Sequence, residues 1–280
     1  MSTLRTWLDL AWDRHDRDAE ALAVELQARA AMLPDDDEGA EVVRLARHTM
    51  LGHRADAEGL LRFLAALPAG DKLAAQRDRA DWAMAALQDR PAAQLPDAVV
   101  WGTLADVVLA EILRGNLARA RERALAPEAA AAVHPDEAAR RAYAATAHNV
   151  TLALRTGPRS PAHDILMIEM AELERRAWSR AGNWMHVERA DYHLALCNAV
   201  AGRGAQAVAY AAACREACEA NGADAAEHFF AHECSVHAAR AAGESAAAAQ
   251  HRTRMAELLL EVHDTDMKAF CEATLASTPQ

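Results

Sequence analysis

A seven-residue turn recurs in this chain at a fixed interval. AGRGAQA at 201–207 returns 41 residues later as AGESAAA at 242–248, and RGNLARA at 114–120 has the same form. In each, a Gly makes a tight turn between two helices, and an Ala five positions on (Ala120, Ala207, Ala248) begins the return helix. A second echo lies near the start, where DAEAL (18–22) recurs as DAEGL (56–60). Each copy opens a helix that closes on Leu-Pro, at Pro34 and Pro68, and the second copy is four residues shorter. Periods of ~34–47 residues built from helix pairs restrict the fold, because each pair can bury its apolar face only against its neighbours.

Composition agrees with helices. Apolar residues make up 52% of the chain and aromatics only 5%, so Ala and Leu carry most of the apolar area. Ala costs least in a helix, and alternation of the strand type is missing. Breaks fall at LPDDDEG (33–39), LPAGD (67–71), RPAAQLP (90–96), APEAAAAVHPDE (126–137) and TGPRSP (156–161). The acids of the first break belong at a helix N-terminus, where negative charge is favoured. The expected fold is all-α, an antiparallel helix-pair solenoid of about twelve to fourteen helices. It covers 1–276 as one domain, with a sub-division into 1–127 and 135–276 and a tail at 277–280.

Charge and cysteines exclude several classes. The formal net charge of −11 argues against nucleic acid, whose phosphates need a basic face. Residues 101–190 differ, holding twelve Arg against eleven acids. No apolar run reaches the ~18 residues of a membrane span, and Asp9 interrupts the start where a signal peptide needs an apolar core. Cys197, Cys214, Cys218, Cys234 and Cys271 are odd in number and none forms a CxxC, so a cytoplasmic protein with reduced thiols is expected.

The segment EHFFAHECSVH (227–237) has the letters of a metal site without its geometry. His232-Glu233 is followed by His237, and a five-residue step leaves two imidazoles about 140° apart on an α-helix. Shifted back by 41 residues, His237 falls on Leu196, and Cys214 and Cys218 align with Met255 and Leu259. Those slots read as core, and a buried free Cys behaves as a small hydrophobe. Phe230, Cys234 and His237 share one face of this helix, while His232, Val236 and Ala239 fall on the face that pairs with the return helix. One metal alternative survives, since His186, His193 and Cys197 lie on a single helical stripe. RHD (14–16) and AHD (162–164) read as helix caps. No nucleophile motif and no cofactor motif is present, GxxxxGK[ST] included, so no cofactor and no catalytic residue is assigned.

WLDLA (7–11) and WGTLA (101–105) resemble the opening of the first helix of a tetratricopeptide repeat, and the Gly-then-Ala turn and closing Pro are similar to its middle and end. The longer period and the NG joint at 221–222 resemble the tetratricopeptide-like domains of bacterial signalling ATPases and transcription activators. The resemblance covers 7–66, 97–127 and 184–261, and 128–183 departs from it. It implies a right-handed superhelix and a non-enzymatic module binding a protein, a peptide or a small effector. It also implies an inner surface carrying Arg189, Tyr192, Phe230, Glu233, His237 and Arg240, where Arg is suited to a carboxylate. The competing reading is a metal- or ligand-dependent protein using the His/Cys-rich C-terminal third.

Overall fold

Helices in this chain stop where the sequence removes their means of continuing. The structure, a computed structural model, describes residues 3–279. Among them there is no strand, and the chain is all-α. Residues up to Thr146 form one compact unit, with α1 (Thr3–Trp12), α2 (Ala19–Arg29), α3 (Asp37–Arg47), α4 (Ala57–Ala66), α5 (Asp71–Leu87), α6 (Asp97–Leu113), α7 (Leu117–Leu125), the short α8 (Glu128–Ala132) and the first half of α9 (Glu137–Thr156). Residues from Ala147 form a second unit, with the rest of α9, α10 (Pro161–Ala181), α11 (Trp184–Val200), α12 (Gly204–Asn221), α13 (Ala225–Ala241), α14 (Ser245–Leu259) and α15 (Thr265–Ser277). The division falls inside α9, while the 126–137 break is occupied by α8 and the Pro135 turn.

The two echoes in the sequence are echoes in space. Asp18 and Asp56 precede α2 and α4 as N-caps, and Asp56 accepts the Gly59 N–H at 2.7 Å. α4 ends at Ala66, whereas α2 is prolonged by a 3-10 turn over Ala30–Met32, which absorbs the extra residues. Leu33 and Leu67 then adopt the same extended backbone, ψ 133° and 141°, as the following Pro demands. In the acidic run, Asp36 caps α3 through the Gly39 N–H at 2.9 Å. Asp35 turns away to accept the Asp71, Lys72 and Leu73 N–H groups that open α5.

The Gly turns are three copies of one conformation. Gly115, Gly202 and Gly243 have φ of 77°, 73° and 80°, a region that favours Gly. After each, the next N–H reaches back to the helix just ended: Asn116 to Glu111 O, Arg203 to Asn198 O and Glu244 to Ala239 O, all at 2.8 Å. Ala120, Ala207 and Ala248 are buried as the repeat requires. Replacing Ala207 or Ala248 with Phe should destabilise by about 1–3 kcal/mol through overpacking. Denaturant midpoints unchanged for both would show that the return helices have room the repeat denies them.

In the N-terminal unit α6 packs against α5, α7 and the segment that follows α3. It is buried on every side from Thr103 to Glu111, so its two charges there must be paired. Glu111 meets Arg119 and Arg123 at 3.1 and 3.3 Å. Asp106 accepts from Arg47 Nε at 2.6 Å and from His48 Nδ1 at 2.7 Å. Burial pushes the Asp106 carboxyl up, but the Arg47 charge and the His48 hydrogen bond outweigh it and hold it at about 2.

Past Arg47, α3 widens into a π-helical turn over His48–His53. Gly52 lies in this turn, where an added Cβ would sit 3.2 Å from His48 Nδ1 and 3.5 Å from Asp106 Oδ1. A side chain at 52 would therefore press on the His48–Asp106 hydrogen bond. Burial and the charges of His48 and His15 push the His53 imidazole down to about 4, and burial also lowers His15.

Candidate functional site

The C-terminal unit stacks its helices in chain order, α10 on α11, α11 on α12, α12 on α13 and α13 on α14, with α13 also lying on α11. α13 consequently buries two faces. Ala231, Cys234 and Ala238 join the core of α11 and α12, whereas Phe229, Val236 and Ala239 join Met255, Leu258 and Cys271 of α14 and α15. Both sequence assignments for this helix hold in part: Cys234 faces inward on one side, Val236 and Ala239 on the other. Phe230, Glu233 and His237 form the half-buried stripe between these faces, and Arg240 is exposed. At Gly204, which opens α12, an added Cβ would lie 2.6 Å from the backbone of Ala242, so the successive turns touch.

A cavity of about 780 Å³ lies where the first turns of α11 and α13 face the 261–264 loop and α15. Its aromatic wall is a ladder across three helices. Tyr192 of α11 and Phe230 of α13 have ring centroids 6.4 Å apart, and Phe230 and Phe270 of α15 are 5.7 Å apart. Met185 and Met267 add flexible apolar surface. Charge on the lining is unequal: Glu188, Asp224, Glu227, Glu261 and Asp264 stand against the guanidinium groups of Arg155 and Arg189, with His148, His193 and His263 beside them.

Glu188 is the unusual member. It is buried, and its Oε1 accepts the Cys214 thiol at 2.7 Å while its Oε2 has no partner. Burial pushes this carboxyl up to about 7. Burial of the Arg155 Nε without a partner adds a second unsatisfied polar atom among the lining residues. A perturbed carboxyl in an apolar cavity is the pattern expected of a ligand site. At the same wall His148 and His193 each place Nδ1 2.9 Å from one oxygen of buried Glu174. Burial raises the Glu174 carboxyl, and those two hydrogen bonds more than offset it.

Of the residues expected on the inner surface, Arg189, Tyr192 and Phe230 line this cavity. Glu233 stands behind them and accepts the Tyr192 hydroxyl at 2.7 Å, with His237 3.8 Å from its carboxylate and Arg240 farther along α13. Arg189 is paired with Glu227, so its guanidinium fork is already engaged. The three side chains of the metal alternative lead separate lives. His186 completes a capping box with Asn183 and stacks on Trp178, His193 is held by Glu174, and Cys197 is buried with its thiol pushed up to about 12. Among the described residues two His/Asp/Glu groups converge within 4.8 Å, and neither contains His186 or Cys197.

The capping assignments for RHD and AHD need correction: the N-cap positions fall to Asp18, whose side chain makes no capping hydrogen bond, and to Ser160, which accepts the His163 N–H. Asp16 is exposed beside Arg17, and Asp164 pairs with Arg159. Sequence reasoning also missed Glu188, His148, Glu174 and Phe270. For Glu188 a signal existed: the 41-residue register sets it against Phe229, a core position. Compared with protein-family models and with curated proteins, the chain matches none.

Proposed function

We propose that the C-terminal unit is a non-enzymatic effector-sensing module built of tetratricopeptide-like helix pairs, and that its ligand is a small amphipathic cation. The observation that carries this reading is the cavity itself. Its volume falls in the ~300–1,000 Å³ range of small-molecule sites. The Tyr192–Phe230–Phe270 ladder offers an apolar wall and ring faces that attract a cation. With Glu227 and Arg189 paired to each other, Asp224, Glu261 and Asp264 against Arg155 favour a positive head over a negative one. Glu188, with a free Oε2, is the buried anchor for that head. A basic side chain of a peptide presents the same chemistry as a free effector.

Calorimetric titration with a phenylalkylammonium ion, and with the matching phenylalkyl carboxylate, tests the reading. The ammonium should bind at least about tenfold more tightly, a difference of ~1.4 kcal/mol. Its affinity should rise as pH passes upward through 7, because Glu188 must ionise to meet it. Equal or tighter binding of the carboxylate would overturn the proposal, as would binding of neither ion.

A further inference from the structure

Three histidines converge in the N-terminal unit, and none of them lines the cavity. His15 comes from the turn between α1 and α2, and His48 and His53 from the π-helical turn after α3. Their ring centroids are 5.1, 5.0 and 4.8 Å apart for the 15–48, 15–53 and 48–53 pairs. The π turn is what makes the set. In an α-helix residues five apart point about 140° away from each other. Hydrogen bonds of the i→i+5 type widen the turn, so residue 53 comes back over residue 48.

The ring nitrogens are sorted by their outer partners. His48 Nδ1 lies 2.7 Å from the Asp106 carboxylate, and His15 Nδ1 lies 2.5 Å from the Trp12 carbonyl oxygen. Both partners accept, so each Nδ1 carries the proton and each Nε2 keeps its lone pair. Asp106 is itself fixed by Arg47 at 2.6 Å. A carboxylate or carbonyl behind an imidazole, as His48 and His15 have, is the arrangement that orients histidine ligands on metals. His48 Nε2 and His53 Nε2 are 3.2 Å apart. Two nitrogens bound tetrahedrally to zinc at ~2.0–2.1 Å would be about 3.3 Å apart, which matches. One ligand atom from each of the three residues lies within 4.8 Å of the others, and His15 sits on a turn rather than in a helix.

We propose that His15, His48 and His53 bind one divalent late first-row transition ion, zinc foremost, through three imidazole nitrogens. All three side chains are only half-buried, which leaves a fourth position open to water or a ligand. Neutral imidazole without thiolate selects such an ion over magnesium or calcium. The His148–Glu174–His193 group is not offered as a site, because both Nδ1 atoms are spent on one carboxylate oxygen.

The test uses tag-free, full-length protein stripped with chelator and titrated calorimetrically with zinc. One ion per chain is expected. His15→Gln and His53→Gln should each weaken it by about 100-fold or more, and Asp106→Asn by ~10–100-fold as an outer partner. His193→Gln, in the other unit, should leave the affinity unchanged. His15 lies outside the helices, so its variant is expected to keep the wild-type circular dichroism spectrum, which makes a loss of binding attributable to the lost ligand. Absence of zinc binding, zinc binding indifferent to His15→Gln, or binding abolished by His193→Gln would each overturn the site.

Discussion

Replacing Asp106 with Ala should destabilise the N-terminal unit by about 3–5 kcal/mol, the usual cost of breaking one half of a buried ion pair. Asp106 and Arg47 are both buried, and Arg47 Nη1 already lacks a partner. Removing the carboxylate strands a guanidinium inside the unit and leaves His48 Nδ1 without its acceptor. The double variant Arg47→Met, Asp106→Leu should recover most of the loss, because it removes both charges at similar volume. The pair also fixes an acid limit. Its carboxyl lies at about 2 against an unfolded 3.8, so its contribution is complete above about pH 4 and fades as pH falls toward 2. Denaturant unfolding reads all three effects. A loss below about 1 kcal/mol for Asp106→Ala would mean that the pair is not closed off from water.

Relative to a Glu188→Gln variant, the C-terminal unit should lose stability as pH rises from 5 to 8; the lowered imidazoles of His232, His237 and His251 act in the opposite sense and are common to both proteins. The folded Glu188 carboxyl lies at about 7 against an unfolded 4.5, so between these values the folded state holds a proton that the unfolded chain releases. A raised acid contributes fully below the lower value, and the contribution disappears as pH climbs through the upper one. The span corresponds to about 3 kcal/mol at ~1.4 kcal/mol per unit. Gln has the shape of the protonated acid and does not titrate. Glu188→Gln should match wild type near pH 5 and exceed it by about 2–3 kcal/mol at pH 8. Parallel stability curves for the two proteins would show that Glu188 is solvated when ionised. A carboxylate kept at such a cost in a cavity is what a cationic ligand would relieve.

The parts of the fold that could be read from sequence are those written in residue identity at fixed offsets. Gly202, Gly243 and Gly115 announced turns because few other residues accept φ near 75°. Ala207 and Ala248 announced close approach because they are small, and Pro34 and Pro68 announced helix ends. The resemblance to a tetratricopeptide repeat pointed to Arg189, Tyr192 and Phe230 among six residues, and these three line one cavity. What could not be read depends on departures from that regularity. His48 and His53 look divergent at 100° per residue, and only the π turn reverses this. Arg47 and Asp106 are 59 residues apart, and nothing local marks either as buried. Phe270 sits in α15, beyond the last repeat, so no register pointed to it. Asp16 looked like a cap because Asp commonly is one, yet the helix starts after Asp18.

The cavity walled by Tyr192, Phe230 and Phe270, proposed above as the ligand site, can be watched during a titration. Two of its nine methionines, Met185 and Met267, line that cavity, and their methyl groups report on it directly. Protein labelled with ¹³C at the methionine methyls should show two resonances shifting on titration with a phenylalkylammonium ion, and assignment by Met185→Leu and Met267→Leu should identify them as these two. Met50, Met84 and Met170, buried in the cores, should stay in place. Saturating shifts confined to Met185 and Met267 are expected if the ligand binds there. A titration in which those two methyls do not move, or move no more than the others, would contradict the proposal.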